Sequence, residues 1–281
     1  PAAAAALPEQ LRTRLQPIGA DAASIDALAA ALLALRADPL PAERLARMRA
    51  RGTLRVGTTG DYAPFSAVAA NGERTGIDVD RAGELAASLG VRVDWIETSW
   101  PTLEDDLAAG RFDIAMSGIS RTLERARIGD FSAPYHVGGK TPIVRCEDLA
   151  RFDAFEAIDR PGTRAVVNPG GTNEQFARTR LTQASLRVFP DNRLVFDEIA
   201  EGRADVMFTD AIEVHRVARD DARLCAALPG VTLTYQEKGF LLPRDRDGAW
   251  LRYVDLWLAQ LRGDGRLDAA FARHLGSSVG D

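Results

Sequence analysis

The sequence predicts an α/β protein of two lobes. Three observations carry this. From Gly52 onward, short apolar strands ending in Gly-, Ser- or Asp-containing loops alternate with helical patterns, as in a parallel or mixed sheet. The run Gly138-Gly139-Lys140-Thr141-Pro142-Ile143-Val144 reads as a crossover into a second body. The same βα rhythm resumes at Ala165, without a fixed-period repeat. A chain of 281 residues, 46% of them apolar, is long enough for one large or two medium domains.

Residues 1–49 stand apart. They are Ala-, Leu- and Arg-rich and lack strand-like runs. Ala22 to Leu35 is apolar at helical spacing with Asp21 as N-cap; Pro39 and Pro41 break it, and Ala42 to Arg51 forms a second short helix. This helical preamble packs on the main body or on a neighbouring subunit, or else is a partly disordered tail. The first lobe comprises 50–140 plus 243–281, the second 141–242. Leu54–Thr58 is a strand, Gly60–Ser66 the loop at its end, and Ile77–Leu89 a helix stopped by Gly90. Val91–Ile96 is the second strand, and Trp100-Pro101 opens a helix running to Gly110. Phe112–Met116 is the third strand, followed by the loop Ser117–Ser120 and a short helix with Glu124 and Arg125. In the second lobe, Ala165–Val167 and Leu186–Val188 are strands, Asn192–Ala200 a helix and Ala204–Phe208 a strand. Thr209–Glu213 turns from that strand into a helix. Lys238–Leu242 carries the chain back, and helices Trp250–Leu261 and Leu267–Leu275 close it. Phe65 and Phe131 are core residues.

A net charge of −5 and a pI near 5.4 argue against nucleic acid or an anionic membrane as the main partner, while leaving room for a local basic pocket. No apolar run reaches bilayer-spanning length. The chain starts at Pro1 without Met, consistent with a removed leader, and no signal peptide is visible. Cys146 and Cys225 are either two buried thiols or one disulfide. With no Cys-x-x-Cys pair and three scattered histidines, a zinc site is not expected. No phosphate loop, dinucleotide fingerprint or Ser-His-Asp order stands out.

The stretch Val166 to Phe176, Val-Val-Asn-Pro-Gly-Gly-Thr-Asn-Glu-Gln-Phe, leaves a strand through Pro169-Gly170-Gly171 and enters a helix near Thr172, an N-cap candidate with Gln175 as capping-box partner. Such an entry suits an anion. Glu174 either compensates the helix dipole or is a proton donor facing that anion. Arg125 offers a planar fork for a carboxylate, or is a surface or interlobe ion pair. Lys140 either neutralises a second carboxylate or is a solvated hinge lysine. Asp210 receives an ammonium or caps a helix. Tyr62 and Trp100 wall a ring-shaped ligand or simply pack. In sheets of this kind ligands sit beyond the strands' carboxyl ends, where the loops of Asp61, Trp100 and Ser120 fall.

The order Leu54-Arg55-Val56-Gly57, Gly76-Ile77-Asp78-Val79-Asp80, Arg111-Phe112-Asp113-Ile114, Ser120 to Arg125 and Phe131-Ser132-Ala133-Pro134-Tyr135 resembles the polar amino-acid branch of the periplasmic solute-binding proteins. The resemblance implies the type II periplasmic binding protein fold, two α/β lobes joined by a two-stranded hinge with the ligand cleft between them. It also implies a ligand carboxylate on Arg125, assisted by Ser120 and the Thr172 turn, and an α-ammonium on Asp210.

A narrower resemblance is to the cyclohexadienyl dehydratase family, secreted bacterial enzymes acting on prephenate and arogenate. Its strings are Thr58-Thr59-Gly60-Asp61-Tyr62, Thr98-Ser99-Trp100-Pro101, Asp113 to Ser120, Gly139 to Ile143, Asn168 to Glu174 and Thr209 to Glu213. It covers about Leu54 to Leu275 and leaves residues 1–49 outside. It implies Glu174 as general acid and substrate contacts from Asp61, Tyr62, Trp100, Ser117, Gly118, Ser120, Arg125, Lys140, Asn168, Thr172, Asn173 and Asp210. It further implies a Cys146–Cys225 disulfide, a periplasmic location, a homotrimer and no cofactor. A carboxylic acid that donates a proton must be protonated, so a pKa raised by burial is expected for Glu174. The alternative is a non-catalytic amino-acid receptor of an ABC transporter.

Overall fold

The computed structural model describes residues 7–19, 21–37, 44–245 and 247–276. The chain divides into two units, residues 1–50 and 51–281. In the first, helices Leu7–Leu15 and Ala22–Ala37 are joined through a 3₁₀ turn, Gln16–Ile18. Asp21 caps the second helix as expected, accepting from the Ser24 backbone N at 2.9 Å and Ser24 Oγ at 2.6 Å. Arg12 pairs with Asp26 at 2.7 Å. Helix Arg44–Arg51 follows. The Pro39–Pro41 break and residues 42–43 lie outside the described residues.

The second unit holds two five-stranded sheets. Its strands are β1 Thr53–Thr58, β2 Asp61–Tyr62, β3 Ser66–Val68, β4 Arg74–Thr75, β5 Arg92–Glu97, β6 Ile114–Ala115, β7 Gly129–Phe131, β8 His136–Gly138, β9 Lys140–Arg145, β10 Arg164–Val167, β11 Ser185–Val188, β12 Val206–Asp210, β13 Leu224–Ala226, β14 Gln236–Lys238 and β15 Leu241–Pro243. The first sheet runs β5-β1-β6-β15-β7, the second β11-β10-β12-β9-β13. Helices connect the parallel strands: Ile77–Leu89 lies between β1 and β5, and Thr172–Arg180 between β10 and β11. Gly90 ends the first of these with φ 69°, as the sequence predicts.

Consecutive residues of the second sheet face opposite ways and feed two cores. Ile143, Val166 and Met207 join Val195, Ile199 and Val214 on one face. Their neighbours Val144, Ala165 and Val206 join Phe152, Ile158 and Phe208 on the other. That two-sided burial is why these strands read as unbroken apolar runs. Strands β8 and β14 pair antiparallel as a separate two-stranded ladder, the expected hinge, with Lys238 opposite His136. The Cys146–Cys225 disulfide sits beside the β9–β13 pairing. Phe65 is fully buried, whereas Phe131 only packs against the first sheet's core from its edge.

The helix expected from Trp100 begins at Leu103, and the segment at Arg125 is a 3₁₀ turn, Arg125–Arg127. Strands β7 and β13 are edge strands of three residues, too short to show a period in the sequence.

Candidate active site

The strand ends of both sheets converge on a cavity. It is lined by Tyr62, Trp100, Gly118, Ser120, Arg125, Lys140, Asn168, Gly171, Thr172, Asn173, Asn192, Asp210 and Lys238. The loops of the two sheets touch across it. Asn192 donates to the Asp61 carbonyl at 2.9 Å, and Gln175 to Glu124 at 3.1 Å. Gly170, with φ +75°, lies so near Pro101 that an added Cβ would stand 2.6 Å from its Cα. Only glycine permits both that backbone conformation and that approach.

Asp210 is the electrostatic centre. It ends β12, and in the antiparallel β9–β12 register it stands opposite Lys140. Lys140 Nζ donates to Asp210 Oδ1 at 2.8 Å and Lys238 Nζ to Oδ2 at 2.6 Å. The Tyr62 hydroxyl also donates to Oδ2. Burial alone would raise the Asp210 pKa, but the two ammonium groups overcome it and hold the carboxylate ionised, far below its ordinary value. Lys238 is carried in by the β8–β14 ladder and bridges the Ser120 backbone; its Nζ also donates to Ser120 Oγ at 2.9 Å. Burial pushes its pKa down to about 8, against the opposing pull of Asp210.

Arg125 is buried. Its Nη1 donates to the Ser120 carbonyl at 3.2 Å, and Nε stands 3.6 Å from Glu104 Oε1. Among the described residues Nη2 has no protein acceptor, which leaves one arm of the fork for a ligand oxygen. Lys140 also donates to Asn173 Oδ1, and Asn173 Nδ2 reaches Asn168 Oδ1 at 3.0 Å and Thr209 Oγ1 at 3.1 Å. Gly118 has φ +63°, and its N donates to Asp78 at 2.7 Å; an added Cβ would stand 2.5 Å from the Phe65 ring. The Trp100 indole donates to Asp61 Oδ1 at 3.1 Å, which fixes the plane of the cavity's aromatic wall.

Ten of the twelve expected contact residues line the cavity: Tyr62, Trp100, Gly118, Ser120, Arg125, Lys140, Asn168, Thr172, Asn173 and Asp210. Asp61 and Ser117 do not. Asp61 turns to Trp100, and Ser117 is spent behind the wall on Thr59 N, at 3.0 Å, and on neighbouring hydroxyls. Four expectations need correction. Asp210 is not a side-chain cap, and its carboxylate is already engaged by the ammonium groups of Lys140 and Lys238. Thr172 is the first helical residue, not the cap; Gly171 holds that position without a side-chain bond, and Gln175 turns to Glu124. The helix entry is satisfied instead by Glu174, which accepts from Gly170 N at 2.7 Å. Glu174 therefore does not line the cavity, and its pKa is lowered, not raised. The Gly170 N–H is the main cause, opposed by partial burial and helped by Arg178, whose Nε lies 2.8 Å from Oε1. The sequence reading gives Lys238 only as a strand start and Asn192 only as a helix start; both line the cavity.

A two-lobed α/β body whose strand ends converge on one cavity is the architecture of a solute-binding protein. The chain belongs to the bacterial extracellular solute-binding proteins, family 3, which it matches over residues 54–277. Within that family it is 51% identical over 228 residues to the cyclohexadienyl dehydratase of Pseudomonas aeruginosa, covering 81% of this chain and 84% of that one. Among solved structures it resembles AncCDT-1, an ancestral amino acid-binding protein and precursor of cyclohexadienyl dehydratase, with TM-score 0.77, 37% identity and coverage of 82% and 99%. It also resembles the ancestral cyclohexadienyl dehydratase AncCDT-3, with TM-score 0.53, 47% identity and coverage of 84% and 98%.

Proposed function

We infer that this chain catalyses the cyclohexadienyl dehydratase reaction, the decarboxylating dehydration of prephenate to phenylpyruvate and of arogenate to phenylalanine. The observation that carries this reading is the cavity's charge. Arg125, Lys140 and Lys238 face it with Asp210 as the single carboxylate, so it suits an anion with more than one carboxylate. A receptor for a neutral or cationic amino acid has no use for that excess, and no free carboxylate remains for the ammonium group. The likeness to a dehydratase at 51% identity supports the same choice.

In this reaction one proton reaches the ring hydroxyl, which leaves as water. The bond to the ring carboxylate breaks, its electron pair completes the aromatic ring, and CO₂ departs. Arg125, Ser120 and the Thr172 turn hold the side-chain carboxylate. The ring carboxylate falls to Lys140, Asn168 and Asn173. It loses its charge as CO₂ forms, so a strong grip would favour the ground state. Lys140 is already shared with Asp210, which tempers that grip.

Glu174 is the proton donor in this reading. It shares the first helical turn with Thr172 and Asn173, which line the cavity. To act, it takes up a proton and exchanges Gly170 N and Arg178 for the drier cavity, where the acid form is favoured. Glu174→Gln should abolish phenylpyruvate formation, followed by absorbance, while calorimetric binding of prephenate persists. Turnover by that variant removes Glu174 from the role. A wild-type protein that binds amino acids and releases no phenylpyruvate is the receptor instead. The Cys146–Cys225 disulfide and the extracellular family support a periplasmic location.

A further inference from the structure

The charge arrangement at Asp210 bears on which of the two substrates the site takes. Prephenate carries two carboxylates and a keto group; arogenate carries the same two carboxylates and an ammonium in place of the keto oxygen. An ammonium entering this cavity needs a carboxylate with an open lone pair. Asp210 is a poor candidate, since Lys140, Lys238 and Tyr62 already donate to it and its single charge is outweighed by the two ammonium groups. Lys238 is decisive because it arrives from a different element. Lys140 is the cross-strand neighbour of Asp210 and neutralises it once. Lys238, carried by the hinge ladder, adds a second cation and links it to Ser120 on the first lobe. With Arg125 these lysines leave a net of two positive charges among the residues lining the cavity, a match for a dicarboxylate, with Glu104 standing behind Arg125 outside the lining.

We propose that Lys238 makes this a site for a dianionic keto acid, so that prephenate is processed in preference to arogenate. The proposal rests on the dehydratase reading of the same cavity. An incoming ammonium would meet two fixed ammonium groups in a poorly solvated space, where like-charge repulsion is weakly screened. Removing Lys238 reverses this in two ways: it takes away one repelling charge and frees one lone pair of Asp210 Oδ2, which Tyr62 continues to share.

The test compares kcat/KM for prephenate and arogenate in the wild-type protein, Lys238→Met and Lys238→Arg. The wild type should favour prephenate by about tenfold or more, the scale set by one unsatisfied buried polar group. Lys238→Met should shrink that ratio by about tenfold or more, through loss on prephenate and gain on arogenate. Lys238→Arg, which keeps the charge, should retain the preference. A wild-type preference for arogenate, or a ratio that Lys238→Met leaves unmoved, overturns the proposal. If wild-type protein turns over neither compound, the dehydratase reading fails and binding decides the charge claim separately. In that case cyclohexane-1,4-dicarboxylate should raise the wild-type melting temperature and L-phenylalanine should not; the opposite result overturns the proposal.

Discussion

Replacing Asp210 with Asn tests whether the cavity's charge balance is also a structural element. Asn keeps the shape and removes the charge. It leaves Lys140 and Lys238, both almost fully buried, facing each other without an anion between them. Removing one partner of a buried ion pair typically costs about 3–5 kcal/mol, because the remaining charge stays desolvated. For a urea slope of about 2–3 kcal/mol/M, that lowers the unfolding midpoint by roughly 1–2 M. The pH dependence gives an independent check. The folded pKa of Lys238, about 8, lies below its ordinary 10.5, so the unfolded chain binds more protons between these values and stability rises with pH across that window. Asp210 is what holds that pKa up. Without it the window extends downward toward neutrality, so the deficit of Asp210→Asn should be largest at pH 7 and smaller at pH 9.5. Urea melts of both proteins at the two pH values measure this. Adding Lys238→Met to Asp210→Asn should recover part of the loss, because one uncompensated cation is gone. A deficit under about 1 kcal/mol at pH 7, or one that does not change with pH, refutes the argument.

Two further perturbations reach other parts of the molecule. The Cys146–Cys225 bridge closes a loop with a sequence separation of 79, for which chain entropy gives about 4.5 kcal/mol. Guanidinium melts of the Cys146→Ser/Cys225→Ser protein should show a loss approaching that figure, and a loss below about 1 kcal/mol would falsify the entropic account. Arg178→Gln should move the alkaline limb of kcat/KM upward in pH. Arg178 helps hold Glu174 ionised, and a general acid fails as pH rises through its pKa. The effect should be small, about twofold in rate, because Arg178 is largely exposed and the pair is an i,i+4 contact worth about 0.5 kcal/mol at most. A limb that moves to lower pH contradicts Glu174 as the acid.

The fold was legible where elements are long and two-sided. Ile77–Leu89 carries its helical period and its terminal glycine in the sequence, and the structure begins and ends it at those residues. Ala165–Val167 and Val206–Phe208 are apolar throughout because helices cover both faces of their sheet. Legibility failed where tertiary contacts decide. Trp100 does not start a helix because its ring is committed to Asp61 and the cavity wall. The edge strands β7 and β13 are ordered by their partners, β15 and β9, and have no pattern of their own.

The site divides along the same line. Residues in recognisable turns, such as Ser120, Arg125 and Asn168 to Asn173, were placed by their sequence strings. Lys238 has no such string. It precedes Gly239-Phe240-Leu241-Leu242 as an ordinary polar strand residue, and only the antiparallel β8–β14 pairing swings it over Asp210. One pairing thus changes what Asp210 means. Taken alone, an Asp at a strand-to-helix turn is an ammonium receptor or a cap; with two lysines on it, it becomes the counter-ion that lets a doubly cationic wall exist in a buried cleft. Reading the substrate from Asp210 alone points to an amino acid, while reading it from the assembled triad points to a dicarboxylate. The sign of the whole cluster, not the identity of its most conspicuous residue, is therefore the quantity that selects the ligand.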